Sequence, residues 1–171
     1  MKYRWRKTET KGAVMSNVRE LQNWAKEKSW PEEADKLEDL QDDVMYVVPL
    51  DWSKYPSTEG VVLVCKKGIS WMLQMISSGM NYALHIDGKH KVHHGKWILL
   101  NAGIHSIEHD GSKVTHTFRP TAHLFSKQHE SAESIEMLMD GIKLTLHTFA
   151  GFDFFKAGVG TSMYADIYSI I

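Results

Sequence analysis

The chain has 171 residues, 43% of them apolar, with six each of Trp, Tyr and Phe and a formal net charge of −1. That supports one ordinary domain with a real core, and it excludes a global electrostatic pull toward nucleic acid or membrane. The single cysteine, Cys65, excludes an internal disulfide and a cysteine-based zinc site. No apolar run approaches the roughly 18 residues of a membrane span. The start "MKYRWRK" lacks the apolar stretch of a secretory signal, so an intracellular, soluble protein is expected. Charge is uneven along the chain. Residues 1–11 carry Lys2, Arg4, Arg6, Lys7 and Lys11 against Glu9, while 32–43 is acidic apart from Lys36.

Val14, Val18, Leu21 and Ala25 fall at spacings of four, three and four, one stripe of a short first helix. "SWPE" reads as a helix start, with Ser29 capping, Pro31 in the first turn and Glu32 completing a capping box. Ala34, Leu37, Leu40 and Val44 would be the buried stripe of this second helix. Pro49 and Pro56 make 49–60 a loop that leads into the β-type run "VVLVC". "KKG" should break that run, "ISWMLQMI" suggests a short helix, and Gly79 should end it.

All ten histidines lie between His85 and His147, a shift in composition that supports a helical region over 1–59 and a second unit over 60–171. "YALHIDGKHKV" reads as a strand, "HHGK" as a turn and "WILLNAGIHSI" as a strand. "EHDGSK" carries an Asp-Gly hairpin signal, and "VTHTF" alternates as a third strand ahead of Pro120. Ile135, Leu138, Met139, Ile142, Leu146 and Phe149 then define an amphipathic helix. A Gly-rich connection leads to "ADIYSII", a β-branched final strand. Three strands on tight turns form an antiparallel meander, and a crossover helix permits a fourth strand parallel to the first. The expected fold is α+β.

Asp87 raises the chemical question, because it stands in an apolar strand. Such a carboxylate can hold Mg²⁺ or Mn²⁺ when a second one lies on the adjacent strand, and two such ions can drive phosphodiester chemistry. The plainer alternative is that Asp87 opens a "DGK" turn and caps it. His90, His93 and His94, with His85 or His105 across the hairpin, offer imidazoles for Zn²⁺ or Ni²⁺ instead. Lys89, Lys91 and Lys96 could meet a phosphate backbone, or simply be solvated hairpin lysines. No G-x-S-x-G elbow is present, and "GVGTS" lacks the lysine of a phosphate-binding loop.

"ALHIDGKHKV", the following "WILLNAGI", the helix over "HESAESIEMLMDGIKLTL" and the closing "ADIYSII" resemble the core of the Mutator-like element (MULE) transposases. "VVLVCKKGISWMLQ" with "SSGMNY" is similar to the segment ahead of that core, so the likeness spans roughly 60–171. The resemblance implies a ribonuclease-H-like fold with a DDE catalytic triad. Its first acid falls on Asp87, within "DGKHK", where Gly88 and Lys91 match the family pattern and Lys89 replaces the usual threonine. Glu130 or Glu133, with Ser131, matches the start of the family's helix. The second catalytic aspartate should follow the fourth strand. Asp166 begins that strand and does not match, and Asp140 and Asp153 fit no better. One of three metal carboxylates is thus identified, and the expectation is a transposase fragment, catalytically incomplete as it stands. The intact relative would bind transposon-end DNA in the nucleus with Mg²⁺ or Mn²⁺. A non-catalytic DNA- or protein-binding module and a His-rich metal-binding protein are the alternatives, and an open sheet edge could support self-association.

Overall fold

The structure is a computed structural model that describes residues 18–78, 84–93, 97–127 and 130–151. In chain order the elements are α1 (Val18–Lys28), β1 (Met45–Val47), β2 (Gly60–Cys65), α2 (Lys66–Ser77), β3 (Leu84–His93), β4 (Trp97–Asp110), β5 (Lys113–Ser126) and α3 (Ala132–Ala150). The strands form one five-stranded sheet in the order β1-β2-β5-β4-β3, antiparallel at every pairing. The class is therefore α+β. Among the described residues no helix is long and apolar enough to cross a membrane.

Alternation along the strands sorts the side chains onto two faces. Val62, Val64, Leu100, Ala102, Ala122 and Leu124 share one face and are fully buried. They pack with Ile69 and Met72 of α2 and with Met137, Leu138, Ile142 and Leu146 of α3. Both helices approach the sheet through a glycine. A Cβ at Gly141 would lie 2.6 Å from Val62 Cγ1, and one at Gly68 would lie 2.8 Å from the Thr121 carbonyl oxygen. On the opposite face, Leu21 and Ala25 of α1 cover Val47, Val61 and Trp97, and Trp97 stacks on Phe125 at 4.5 Å. β2 is buried on both sides for this reason, which is why "VVLVC" reads as a continuous apolar run.

Helix ends follow their local chemistry. Ser131 caps α3 in a reciprocal box with Ser134, and Gly151 closes it in the left-handed conformation at φ 59°. Cys65 caps α2, its Sγ accepting from the Gly68 N–H at 3.4 Å.

Four expectations are corrected. The helix expected from Ser29 through Val44 is absent; a single 3₁₀ turn at Leu37–Asp39 stands there, and β1 follows it. Ala34 and Leu40 are still buried, so the apolar spacing marks anchors of an irregular segment and not a helical stripe. "KKG" ends β2 at Cys65 as expected, but it also forms the first turn of α2, which therefore starts at Lys66, ahead of "ISWMLQMI". β5 does not stop at Pro120 and runs on to Ser126. A register shift absorbs the proline, with Gly103 opposite Pro120 and Ala102 opposite Ala122, so Thr121 is left out of the pairing. Finally, the strand order does not match a ribonuclease-H-like sheet, where the meander's first strand lies next to a parallel fourth. Here β3 is the last strand of the described sheet, and β2 and β1 extend it from the β5 side. The proposed fourth strand, 165–171, and the "HHGK" turn lie largely or wholly outside the described residues, as do Val14 and Gly79.

Candidate functional site on the sheet face away from α2 and α3

Asp87 lies within β3, not in a turn, and its side chain is exposed. The reading of Asp87 as a turn cap is thereby excluded. Its register partner is Asn101 on β4, whose own partner is His123 on β5. Register partners share a face, so carboxylate, amide and imidazole form a row on the side away from α2 and α3. His123 Nδ1 sits 2.7 Å from Asn101 Oδ1. Burial lowers the His123 pKa, so the ring is neutral at neutral pH and Nδ1–H donates to the amide oxygen. That bond fixes Asn101 and leaves its NH₂ group on the other side of the amide.

Beside this row lies an aromatic cluster. His85 and His105 meet at 4.4 Å between ring centroids with an interplanar angle of 80°, and His105 lies 5.3 Å from Phe118. The Phe118 ring covers Gly103, where a Cβ would lie 2.6 Å from Phe118 Cζ. Burial, and then the neighbouring His85 and His116, lower the His105 pKa.

Glu130 approaches from the other side of the sheet. A Cβ at Gly88 would lie 3.1 Å from Glu130 Oε2 and 3.2 Å from Leu100 Cδ2, so this carboxylate reaches β3 on the core face, one residue from Asp87. Glu133 is turned elsewhere, its Oε1 accepting from the Ser57 N–H at 2.7 Å. Asp140 accepts from Tyr55 Oη at 2.7 Å and Lys143 Nζ at 3.0 Å, which ties α3 to the 49–60 loop. Burial pulls its carboxyl upward, yet those bonds and the charges of Lys143 and Lys54 hold it below its usual range. Burial and the Asp140 carboxylate push the Tyr55 phenol well above its usual range. A shallow cavity of about 360 Å³ lies beside this pair, lined by Pro49, Leu50, Lys54 and Leu144 among others.

The side chains of Lys89, Lys91, His90 and His93, and residues His94 and Lys96 entirely, lie outside the described residues, as do Asp153 and Asp166. Among the described residues no group of three or more His, Cys, Asp or Glu is arranged to hold a metal ion. Asp87 offers one carboxylate, Glu130 stands on the opposite face, and Asn101 Oδ1 is engaged by His123. The described residues therefore do not complete a two-metal centre, and no bond-breaking step follows from them. The Asn101–His123 pair was not anticipated from sequence, because it depends on the register shift at Pro120.

Comparison of the chain with protein-family models, with curated proteins and with solved structures finds no match. The transposase resemblance therefore rests on the residues that carry it.

Proposed function

We propose that residues 60–171 are a transposase-type core of ribonuclease-H-like ancestry, in which Asp87 is a metal-binding carboxylate and DNA is the partner. One observation carries the reading: Asp87 is exposed in mid-strand on the first strand of an antiparallel meander that is followed by a long helix. A carboxylate placed there can meet a hydrated divalent cation without entering the core. Mg²⁺ or Mn²⁺ would be held by Asp87 and water, with Asn101 alongside as a hydrogen-bond donor. The ribonuclease-H-like arrangement further requires 165–171 to add beside β3, the last strand of the described sheet. That edge is equally the place where two copies would associate. Lys89 and Lys91 belong to the same strand, and with Lys96 they would supply phosphate contacts with a steep salt dependence. A nuclear location goes with this reading.

Mn²⁺ titration of the ¹⁵N-labelled chain, followed by paramagnetic broadening, tests the site. Amides of residues 86–88 and 101 should broaden, and Asp87→Asn should abolish this. The exposed acidic stretch 32–43 serves as an internal reference for diffuse attraction. Broadening confined to 32–43, or unchanged at 86–88 in Asp87→Asn, would sink the assignment of Asp87.

A further inference from the structure

Of the histidines that sequence spacing grouped, the side chains of His90, His93 and His94 lie outside the described residues. The rings of His85 on β3 and His105 on β4 meet at 4.4 Å. Because His85 pairs with Gly103, His105 lies diagonally across from it on the same face. The glycine between them is covered by Phe118, which backs His105 and leaves the imidazoles facing each other. Among the described residues neither ring has a hydrogen-bonding partner, and His105 is exposed.

We propose that His85 and His105 form a two-imidazole site for a borderline transition-metal ion of the Zn²⁺, Ni²⁺ or Cu²⁺ class. Imidazole nitrogens suit these ions, whereas Mg²⁺ prefers oxygen, so the site is chemically distinct from Asp87. The rings meet edge to face at 80°, and binding one ion between them would require a turn about χ2 of the exposed His105. That torsion is broad for histidine, so the rotation costs little. Water fills the remaining positions. An ion held this way ties the last strand of the described sheet to its neighbour, two residues from Asp87.

Zn²⁺ binding to the full chain, measured by calorimetry and by ¹⁵N shifts of residues 84–86 and 104–106, tests this. His85→Ala and His105→Ala should each weaken the site by at least about tenfold. His105→Phe, which keeps a ring against Phe118, should do the same, separating the loss of nitrogen from the loss of packing. His147→Ala on α3 should leave the affinity unchanged. Zn²⁺ should also raise the melting temperature of the wild type and not that of the three site variants. Unaltered Zn²⁺ affinity in His85→Ala and His105→Phe, or no shift at 84–86 and 104–106 in the wild type, would overturn the proposal. Because Asp87 is untouched, either result leaves the Mn²⁺ test to stand or fall separately.

Discussion

Replacing Gly68 by alanine should destabilise the protein, although the same change in an unobstructed helix interior is favourable by about 1 kcal/mol. Gly68 is the third residue of α2, and its new Cβ would lie 2.8 Å from the Thr121 carbonyl oxygen, 3.0 Å from Thr121 Cα and 3.3 Å from the Pro120 carbonyl oxygen. All three obstacles are backbone atoms of β5. That strand is held by β2 on one side and β4 on the other, so it has little room to retreat. Overpacking of this kind costs about 1–3 kcal/mol, and against rigid backbone the upper part of that range applies. Setting this against the helix gain leaves a net loss of about 1–2 kcal/mol. For a chain of this size the melting temperature should fall by about 2–8 °C. Urea unfolding should show a lower midpoint with an unchanged slope, since little additional surface is exposed. Equal or greater stability in Gly68→Ala would mean that α2 does not cross β5 at this point, and the packing of that face would need redrawing.

Gly141→Ala meets a side chain instead, with Val62 Cγ1 at 2.6 Å. Its cost should shrink when Val62→Ala is added, which a double-mutant cycle on urea midpoints would reveal. Leu124→Ala removes a fully buried side chain from central β5 and should cost about 2–5 kcal/mol in the same assay. Asp87→Asn alters an exposed side chain and should change stability by no more than about 0.5 kcal/mol; a larger loss would reveal a structural partner for Asp87. The Tyr55–Asp140 pair should be sensitive to pH at both ends. Asp140 has a depressed pKa, so its contribution is present at neutral pH and fades as pH falls below the ordinary carboxylate range. The Tyr55 phenol is raised above its ordinary 10.0, so its contribution is present below that value and lost as pH rises through and beyond it. Wild-type stability minus that of Asp140→Asn should narrow in acid, and minus that of Tyr55→Phe should narrow in alkali. Flat differences would contradict the pairing.

Local patterning was legible wherever one rule decided the outcome. α3 has its apolar stripe, Ser131 cap and terminal Gly151, and each acts within a turn of its own position. β2, β3 and β4 follow from apolar, β-branched runs, and Asp110-Gly111 places the hairpin, with Gly111 at φ 58°. The segment 29–44 misled because buried positions at helical spacing arise equally from an irregular stretch anchored at a few points. Ser29 takes part in a bridge with Val47 there, a partner far along the chain that no local pattern announces.

The site divides the same way. That Asp87 is a carboxylate in an apolar strand, and that imidazoles crowd the strands beside it, is written in the sequence. Which groups meet is not. Counting back from the hairpin turn, where Asp110 faces Lys113, would set Ala122 opposite Asn101. The shift at Pro120 moves β5 by one residue and sets His123 there instead. A one-residue slip exchanges the two faces of a strand, so that single proline determines that an imidazole, and not a methyl group, completes the row. Likewise the place of β3 as the last strand of the described sheet depends on β2 choosing β5 as its partner, a pairing across about 60 residues of chain that burial on both faces makes favourable. Composition and periodicity determine which segments are helix or strand. Only the packed sheet decides which side chains stand next to Asp87, because register is set by the closure of the whole core.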